Sequence, residues 1–455
     1  MRLLNLDTTL DNAADEHELV TAPLLTRTAY EAAGLAQKKY QYGVLGSVTA
    51  ICEKGRSYTP PDPRLYINTN APFSAIVCGV QGSGKSHTVS VLLENMLVSG
   101  CDAIGVSHKA LSGLVLHFGE GGSTSLPCEA AFIGHGGDID GVCPPKIKVF
   151  VSRSSLARMR RVYSTLGNTV AVEPLQFSEN ELDAEAILSM MGVGMSDSAP
   201  LYMHRVLSIL RELGETFTYT RFLKEVEKAK KDMSPMQITP LDQRMVLLKA
   251  YVNASADMAK TRFKAGQLTV VDLSDPFVDP AMACALFEIV TRLFVRADVD
   301  TGKVLVVDEA HKYLSLNKGF TGLTKALTSL TRQQRHLAMR VIISTQEPTA
   351  LPPVLIDLCG IAILHRFSSP SWWEAIIKHV SANFSDDDAF DHVVKLRTGE
   401  AVLLAPSGLG VFPSSLKTST GAIELQQFGR RFLLARTRRR ITADGGASRM
   451  VVQDV

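Results

Sequence analysis

The sequence predicts an α/β protein whose central sheet is mainly parallel and is covered by helices on both faces. Apolar runs of strand length recur along the chain, and segments with helical periodicity separate several of them. These runs are apolar almost throughout, as is typical of parallel strands buried on both faces. An earlier run, SAIVC, leads directly into a glycine-rich loop and a helix. The later runs read DAIGVS, KIKVFVS, LTVVDLS, KVLVVDEA, RVIISTQ, GIAILHRF and EAVLLAPS.

The composition is that of a globular protein with no dominant charge. Of the 455 residues, 45% are hydrophobic and 21% are charged, which argues against a disordered or fibrous chain. Lysine and arginine number 48 and aspartate and glutamate 46, so any contact with nucleic acid must rest on a local cluster. Seven cysteines without a CxxC pair indicate neither a zinc site nor a disulfide framework. We therefore expect an intracellular protein, with cytoplasm and nucleus not distinguished.

Membrane segments are not predicted. Acidic residues occur early in the N-terminal region, which argues against a secretory signal. The richest apolar stretch, 281–295, carries Glu288 and Arg292 and is shorter than the roughly 18 residues of a spanning helix. We expect a soluble chain with no membrane partner.

The patterns divide the chain into five segments. A stretch with three prolines ends an N-terminal lead-in. Patterns typical of strands follow it, are absent from one long helical stretch and occur again beyond that stretch. This indicates a core interrupted by a helical insertion or subdomain. A cluster of arginines marks the C-terminal end. The predicted segments are the lead-in at 1–70, the first part of the core at 71–174, the insertion at 175–265, the second part of the core at 266–428 and the basic segment at 429–455.

A phosphate-binding loop follows the first core strand. The letters GVQGSGKS fit the pattern GxxxxGK[ST], and the expected strand and helix flank them. Glycines let backbone N–H groups turn toward phosphate oxygens, Lys85 neutralises the β and γ phosphates, and the Ser86 hydroxyl ligates Mg²⁺. The motif therefore predicts a site for ATP and Mg²⁺. Its predicted nucleotide-binding residues are Gly79, Gln81, Gly82, Ser83, Gly84, Lys85, Ser86 and His87.

Two later strands end in residues suited to hydrolysis. The run KVLVV leads into Asp308 and Glu309, and a phosphate loop requires an acidic strand end of this kind to hold Mg²⁺. We assign Asp308 to the metal and Glu309 to the general base that takes a proton from the attacking water. Gln346, at the end of RVIIST, is predicted to orient water or sense the γ phosphate. His311 is expected to couple or pack.

Arginines form two groups of interest. Arg332 and Arg335 are three apart, so we expect them on one face of a helix, where they could reach a neighbouring subunit's nucleotide as arginine fingers. A solvated basic face is the alternative. Six more arginines lie between 430 and 440, around an apolar FLL that predicts an ordered strand. They could serve nucleic acid, an adjoining subunit's nucleotide, an acidic partner or solubility, and we favour a ring interface or pore.

Together these motifs resemble the HerA branch of the HerA/FtsK class of ring-forming P-loop ATPases. The resemblance covers about 74–406, apart from 110–265. It implies a RecA-like ATPase core, usually hexameric, that moves double-stranded DNA through a central channel, often beside a nuclease or other effector protein. The N-terminal region departs from the β-barrel typical of HerA proteins, and Glu347 follows Gln346 where arginine is usual. The shared motifs are GVQGSGKS, VVDLSDP, VLVVDEAHKYL, TRQQRHLAMRVIISTQEP and LRTGEAVLL.

Other classes of ATPase fit less well. A DEAH-box helicase needs a second RecA-like domain, whereas only 147 residues follow Asp308. An ABC-type ATPase needs an LSGGQ-like signature, which does not occur between the two nucleotide motifs. The remaining alternative is a nucleotide-driven switch or scaffold that controls assembly with a partner without moving nucleic acid.

Overall fold

The computed structural model describes residues 17–446, apart from 39, 54–55, 123–124, 138, 140, 192–200, 254–258, 315–321, 381–387 and 413–424. The start of the predicted lead-in and the end of the predicted basic segment lie outside the described residues. Within them, seventeen strands form one sheet. In chain order these are β1 (Leu24–Thr26), β2 (Tyr42–Glu53), β3 (Arg56–Tyr58), β4 (Arg64–Asn68), β5 (Ser74–Cys78), β6 (Gly105–Val106), β7 (Ser112–His117), β8 (Lys146–Val151), β9 (Val170–Pro174), β10 (Gln267–Asp272), β11 (Lys303–Val307), β12 (Met339–Thr345), β13 (Ile361–Leu364), β14 (Glu400–Leu404), β15 (Leu409–Gly410), β16 (Gln426–Gln427) and β17 (Phe432–Thr437).

Eight strands form a parallel core in the order β9, β8, β10, β7, β11, β12, β5, β13. Strand β5 precedes the glycine-rich loop and β11 ends just before Asp308, so only β12 separates the two. The carboxyl ends of parallel strands lie at one edge of a sheet, and ligands bind there in open α/β folds. The sheet order therefore brings together the residues that follow β5, β11 and β12.

Antiparallel strands from both ends of the chain extend this core. Strand β14 pairs with β13, β17 pairs with β14, and β2 pairs with β17, which places the C-terminal strand inside the sheet. Strands β4 and β1 follow beyond β2, so the described part of the lead-in also contributes antiparallel strands. The strand predicted around FLL is confirmed as β17.

Helices cover both faces of the sheet. Adjacent residues of β5 point to opposite sides, and Ile76 and Val77 accordingly belong to two separate hydrophobic clusters. The helices are α1 (Arg27–Ala32), α2 (Lys85–Leu97), α3 (Leu156–Tyr163), α4 (Ala184–Met190), α5 (Leu201–Leu213), α6 (Tyr219–Lys230), α7 (Pro235–Ala250), α8 (Ala259–Arg262), α9 (Pro280–Arg296), α10 (Gly322–Gln333), α11 (Pro353–Asp357), α12 (Pro370–Ile377) and α13 (Asp388–Lys395).

The helical insertion lies between β9 and β10 and comprises α4 to α8. Its apolar residues share one hydrophobic cluster with α9 and the sheet. At its end, the buried guanidinium of Arg262 lies 3.0 Å from the Glu181 carboxylate and over the Phe150 ring of β8. Among the helices that the structure describes, none has the length and apolar character needed to cross a membrane. The predicted fold, a mainly parallel sheet covered by helices with a helical insertion, is confirmed.

Candidate functional site

The glycine-rich loop between β5 and α2 has a backbone that favours glycine. Gly79, Gly82 and Gly84 have φ angles of 152°, 72° and 112°, where residues with a side chain are strained. A Cβ on Gly79 would lie 2.7 Å from the Cβ of His365, and one on Gly84 would lie 2.9 Å from the amide nitrogen of Gly399. The motif's glycines are therefore required by backbone conformation and, at two of the positions, by space.

The ends of neighbouring strands hold this loop. The Val80 amide donates to the carbonyl of Arg366 at 3.0 Å, and the Gly399 amide donates to the carbonyl of Ser83 at 3.1 Å. The Ser83 hydroxyl donates to the Val80 carbonyl at 2.7 Å. Its side chain thus turns into the loop, and any contact of Ser83 with a nucleotide would come from its backbone.

His365 is buried behind the loop in a defined protonation state. Its Nδ1 lies 2.9 Å from the carbonyl oxygen of Glu400, which only accepts, so Nδ1 carries the proton. Its Nε2 therefore accepts from the Thr88 hydroxyl at 2.9 Å, and that hydroxyl accepts from Thr437 at 2.8 Å. Burial lowers the pKa of His365 to about 4. A neutral imidazole thus connects α2 with β13, β14 and β17.

Lys85, the first residue of α2, turns its ammonium group into the loop. Its Nζ donates to the Val80 carbonyl at 3.2 Å, and its side chain is buried. Burial lowers the pKa of Lys85, while the nearby charges of Glu309 and Asp308 oppose that shift. A lysine at this position acts on the β and γ phosphates of a nucleotide.

Asp308 follows β11 and pairs with a histidine that the sequence did not single out. Its Oδ2 lies 2.9 Å from Nδ1 of His117, the last residue of β7. Burial favours the neutral carboxyl, but the hydrogen bond and charge of His117 outweigh it and lower the pKa of Asp308. Burial disfavours the charged imidazole, but the hydrogen bond to Asp308 outweighs it and raises the pKa of His117. His117 therefore holds the predicted metal ligand in its ionised form.

Glu309 and Gln346 meet across the sheet edge. The Gln346 side-chain amide donates to both carboxylate oxygens of Glu309 at 2.9 Å. Glu309 has a φ angle of 50°, a conformation that costs free energy for a residue with a side chain. His311 Nε2 lies 3.4 Å from the same carboxylate. The structure thus joins the predicted general base to the predicted water-orienting amide.

Glu129 is a further acidic residue at this site, and no sequence motif marks it. It begins a short 3-10 helix, 129–134, and its carboxyl group lies beside the Ser86 side chain in the wall of the same cavity. Burial raises the pKa of Glu129, and the negative charge of Asp308 adds to that effect. Ser86, Asp308 and Glu129 offer hydroxyl and carboxylate oxygens, the ligand type that Mg²⁺ takes. This donor set fits the metal that the motif predicts.

A cavity of about 670 Å³ opens at the sheet edge above the loop. The general base and its amide partner, Glu309 and Gln346, line it together with most of the predicted loop residues. Gly79, Ser83 and Asp308 are not among its lining residues. Loop residues lining the cavity are Gln81, Gly82, Gly84, Lys85, Ser86 and His87, and further lining residues are Leu126, Pro127, Glu129, Phe132, Thr398, Gly399, Arg436, Thr437, Arg438, Arg439, Asp444, Gly445 and Gly446.

The predicted arginine fingers lie elsewhere on the chain. Helix α10 ends at Gln333, so Arg332 lies in its last turn and Arg335 in the turn that follows. The expectation that both share one helix face is therefore wrong for Arg335. Both are exposed, and neither lines the 670 Å³ cavity in the described part of the chain. Arg332 instead borders a separate surface groove with Lys325 and Ser329.

Four of the six C-terminal arginines fall into two pairs, one bound to carboxylates of the chain and one exposed at the cavity. Arg438 donates to the buried Glu94 carboxylate at 2.7 Å, and Arg440 lies 3.9 Å from the same carboxylate and 3.7 Å from that of Glu129. Both guanidinium groups are largely buried and pair with carboxylates of their own chain, and a place at a ring interface or pore stays a prediction. Arg436 and Arg439 are exposed and face the cavity.

Comparison with known proteins gives matches among solved structures alone. No family model and no curated protein matches the chain. The genome packaging NTPase B204 of Sulfolobus turreted icosahedral virus 2 with ATP-gammaS is 12% identical, with a TM-score of 0.32, 79% of this chain covered and 98% of that chain. VirB4 of Thermoanaerobacter pseudethanolicus is 14% identical, with a TM-score of 0.44 and coverages of 87% and 97%.

The plasmid coupling protein TrwB, in complex with the ATP analogue ADPNP, is 11% identical, with a TM-score of 0.46 and coverages of 82% and 89%. These similarities are weak, and the fold assignment rests on the sheet order and loop of this chain.

Proposed function

We propose that this chain is a Mg²⁺-dependent ATP hydrolase of the HerA type that forms a ring and moves DNA. The observation that carries the hydrolase assignment is a single cavity lined by Lys85, Ser86, Glu309 and Gln346. These residues come from three separate strand ends and supply a phosphate-binding cation, a metal-binding hydroxyl, a carboxylate base and a water-orienting amide.

The residues divide the chemistry among them. Lys85 and the loop amides hold the β and γ phosphates and stabilise charge that develops on the γ phosphoryl oxygens. Ser86 and Asp308, with Glu129 beside them, would hold Mg²⁺, which neutralises phosphate charge when bound. Glu309 takes a proton from water as that water attacks the γ phosphorus, the bond between the γ phosphorus and the β–γ bridging oxygen breaks, and ADP leaves with that oxygen. Gln346 restrains the Glu309 carboxylate through its amide N–H groups and keeps its own carbonyl oxygen available for the water.

Ring formation and DNA movement rest on the motif resemblance and on the placement of α10. In the chain, this helix lies between β11, which leads into Glu309, and β12, which leads into Gln346. The stretch Gly322–Arg340 contains no acidic residue, and Lys325 and Arg332 border its groove. We propose that Arg332 and Arg335 reach the nucleotide of the neighbouring subunit. A nuclease or other effector is the proposed partner protein.

Steady-state phosphate release tests the hydrolase assignment. Lys85→Ala should abolish turnover, because the phosphate charge loses its buried counter-ion. Lys249→Ala, on the exposed surface of α7, is the matched control and should retain full activity. Unchanged turnover in Lys85→Ala would refute the assignment.

Duplex DNA should increase the turnover of the unaltered protein, whereas DNA-independent turnover would favour the switch or scaffold alternative.

Mixing two inactive variants tests the arginine fingers. Arg332→Ala/Arg335→Ala subunits keep their own phosphate loops, and Lys85→Ala subunits keep their arginines. Mixed rings should therefore recover activity at the interfaces where an intact loop meets intact arginines. Mixed rings that remain inactive, with mixing verified by native mass spectrometry, would argue against a role in trans.

A further inference from the structure

The stretch 436–446, which we name the C-terminal strap, forms one wall of the cavity. It leaves the sheet at the end of β17 and passes α2, where the carbonyl of Arg438 lies 2.8 Å from Nε2 of His87. It then reaches the 3-10 helix 129–134, where a Cβ on Gly445 would lie 2.3 Å from the Phe132 ring. The Ala443 amide donates to the carbonyl of His135 at 3.0 Å. The strap thus runs from the β17 side of the cavity to its Glu129 side.

One buried carboxylate fixes the strap to α2. Glu94 is fully buried and accepts a hydrogen bond from Arg438 at 2.7 Å, from the amides of Ile441 and Thr442 at 3.0 Å, and from the Thr442 hydroxyl at 2.6 Å. A buried carboxylate is stable when several donors compensate it in this way. The helix that carries Lys85 and Ser86 at its start therefore also positions the strap.

Two arginines of the strap, Arg436 and Arg439, line the cavity and do not bind Glu94. In the described part of the chain, Arg436 and Arg439 have exposed guanidinium groups with no acidic partner, whereas Arg438 and Arg440 turn toward Glu94. The strap is joined to His87, two residues beyond Lys85 on α2. Arg439 follows Arg438, whose carbonyl contacts His87, and therefore lies near the start of α2.

We propose that the C-terminal strap is the nucleoside-binding wall of the site and that Arg439 lies against the face of the base. This inference rests on the proposed function. The loop residues, with Lys85 and Ser86, line one part of a cavity of about 670 Å³, and the strap lines another part. A planar guanidinium stacks on aromatic rings and is weakly hydrated, so an unpaired arginine suits the face of a base. Nucleoside and phosphates are then held by two walls that are joined through α2.

Comparing the binding of ATP with that of inorganic tripolyphosphate distinguishes contacts to the base from contacts to the phosphates, because tripolyphosphate has no base. Arg439→Ala should weaken ATP binding about 5- to 30-fold and leave tripolyphosphate binding unchanged. Arg439→Lys should also weaken ATP binding, since it keeps the charge and loses the planar group. Arg211→Ala, an exposed arginine of α5, is the matched control and should bind both ligands as the unaltered protein does.

Three results would overturn the inference. An equal loss of ATP and tripolyphosphate binding in Arg439→Ala would place the guanidinium on phosphates. Unchanged ATP binding in that variant would remove any role for it, and full rescue by Arg439→Lys would show that charge alone matters. Failure of the unaltered protein to bind either ligand would instead refute the proposed function itself, and the inference with it.

Discussion

Acidification should destabilise this protein through His365, the buried imidazole behind the phosphate loop. Its pKa is about 4 in the folded chain because burial disfavours the cation, against about 6.5 for an exposed histidine. The unfolded chain therefore binds more protons between these two values. Stability contributed by the neutral imidazole is present above pH 6.5 and is lost as pH falls toward 4.

The size of this effect follows from the two pKa values. From pH 7 to pH 5, linkage predicts a loss of about 2 kcal/mol in the free energy of unfolding from this histidine, rising to about 3 kcal/mol below pH 4. The imidazole makes hydrogen bonds at both nitrogens. A second proton on Nε2 would donate to the Thr88 hydroxyl, which would then donate to Thr437, so the cost arises from burying the cation and not from a lost hydrogen bond.

Urea unfolding at pH 7 and pH 5 measures the loss. The free energy of unfolding should change between pH 7 and pH 5 by about 2 kcal/mol less in His365→Asn than in the unaltered chain, because asparagine does not titrate. His336→Asn, at an exposed position, should keep the full difference. Titration of the His365 ring signals by NMR provides a direct check. An unchanged pH dependence in His365→Asn, or a His365 ring that titrates near pH 6.5, would refute a buried neutral imidazole as the cause.

Further changes test the catalytic and metal-binding residues. Glu309→Gln should keep ATP bound and slow single-turnover hydrolysis about 10²- to 10⁴-fold, because the base is lost while the phosphate-binding residues remain; loss of ATP binding would show instead that Glu309 is structural or a metal ligand. Glu129→Gln should raise the Mg²⁺ concentration needed for half-maximal turnover, since one anionic oxygen beside Ser86 is lost. An unchanged Mg²⁺ dependence, measured by titration at saturating ATP, would contradict a place for Glu129 at the metal.

The local sequence predicted the parts of the site that depend on consecutive residues. Gly79, Gly84 and Lys85 lie in one short loop, and their spacing alone marks a phosphate-binding motif in the sequence. The apolar run before Asp308 likewise predicts a buried strand with an acidic end. Alternation of strands and helices was sufficient to predict a mainly parallel sheet, because burial on both faces requires continuous apolar strands.

Tertiary structure decided which distant residues meet. Sheet order places β7 beside β11, and only that order brings His117 to Asp308, 191 residues away in the chain. Glu129 reaches Ser86 because its short helix packs on α2, and no sequence spacing encodes that contact. The arginines near the C-terminus form a uniform basic cluster in the sequence. In the fold, the buried carboxylate of Glu94 draws Arg438 and Arg440 inward, while Arg439 remains at the cavity, because an uncompensated buried charge is costly and an exposed one is not.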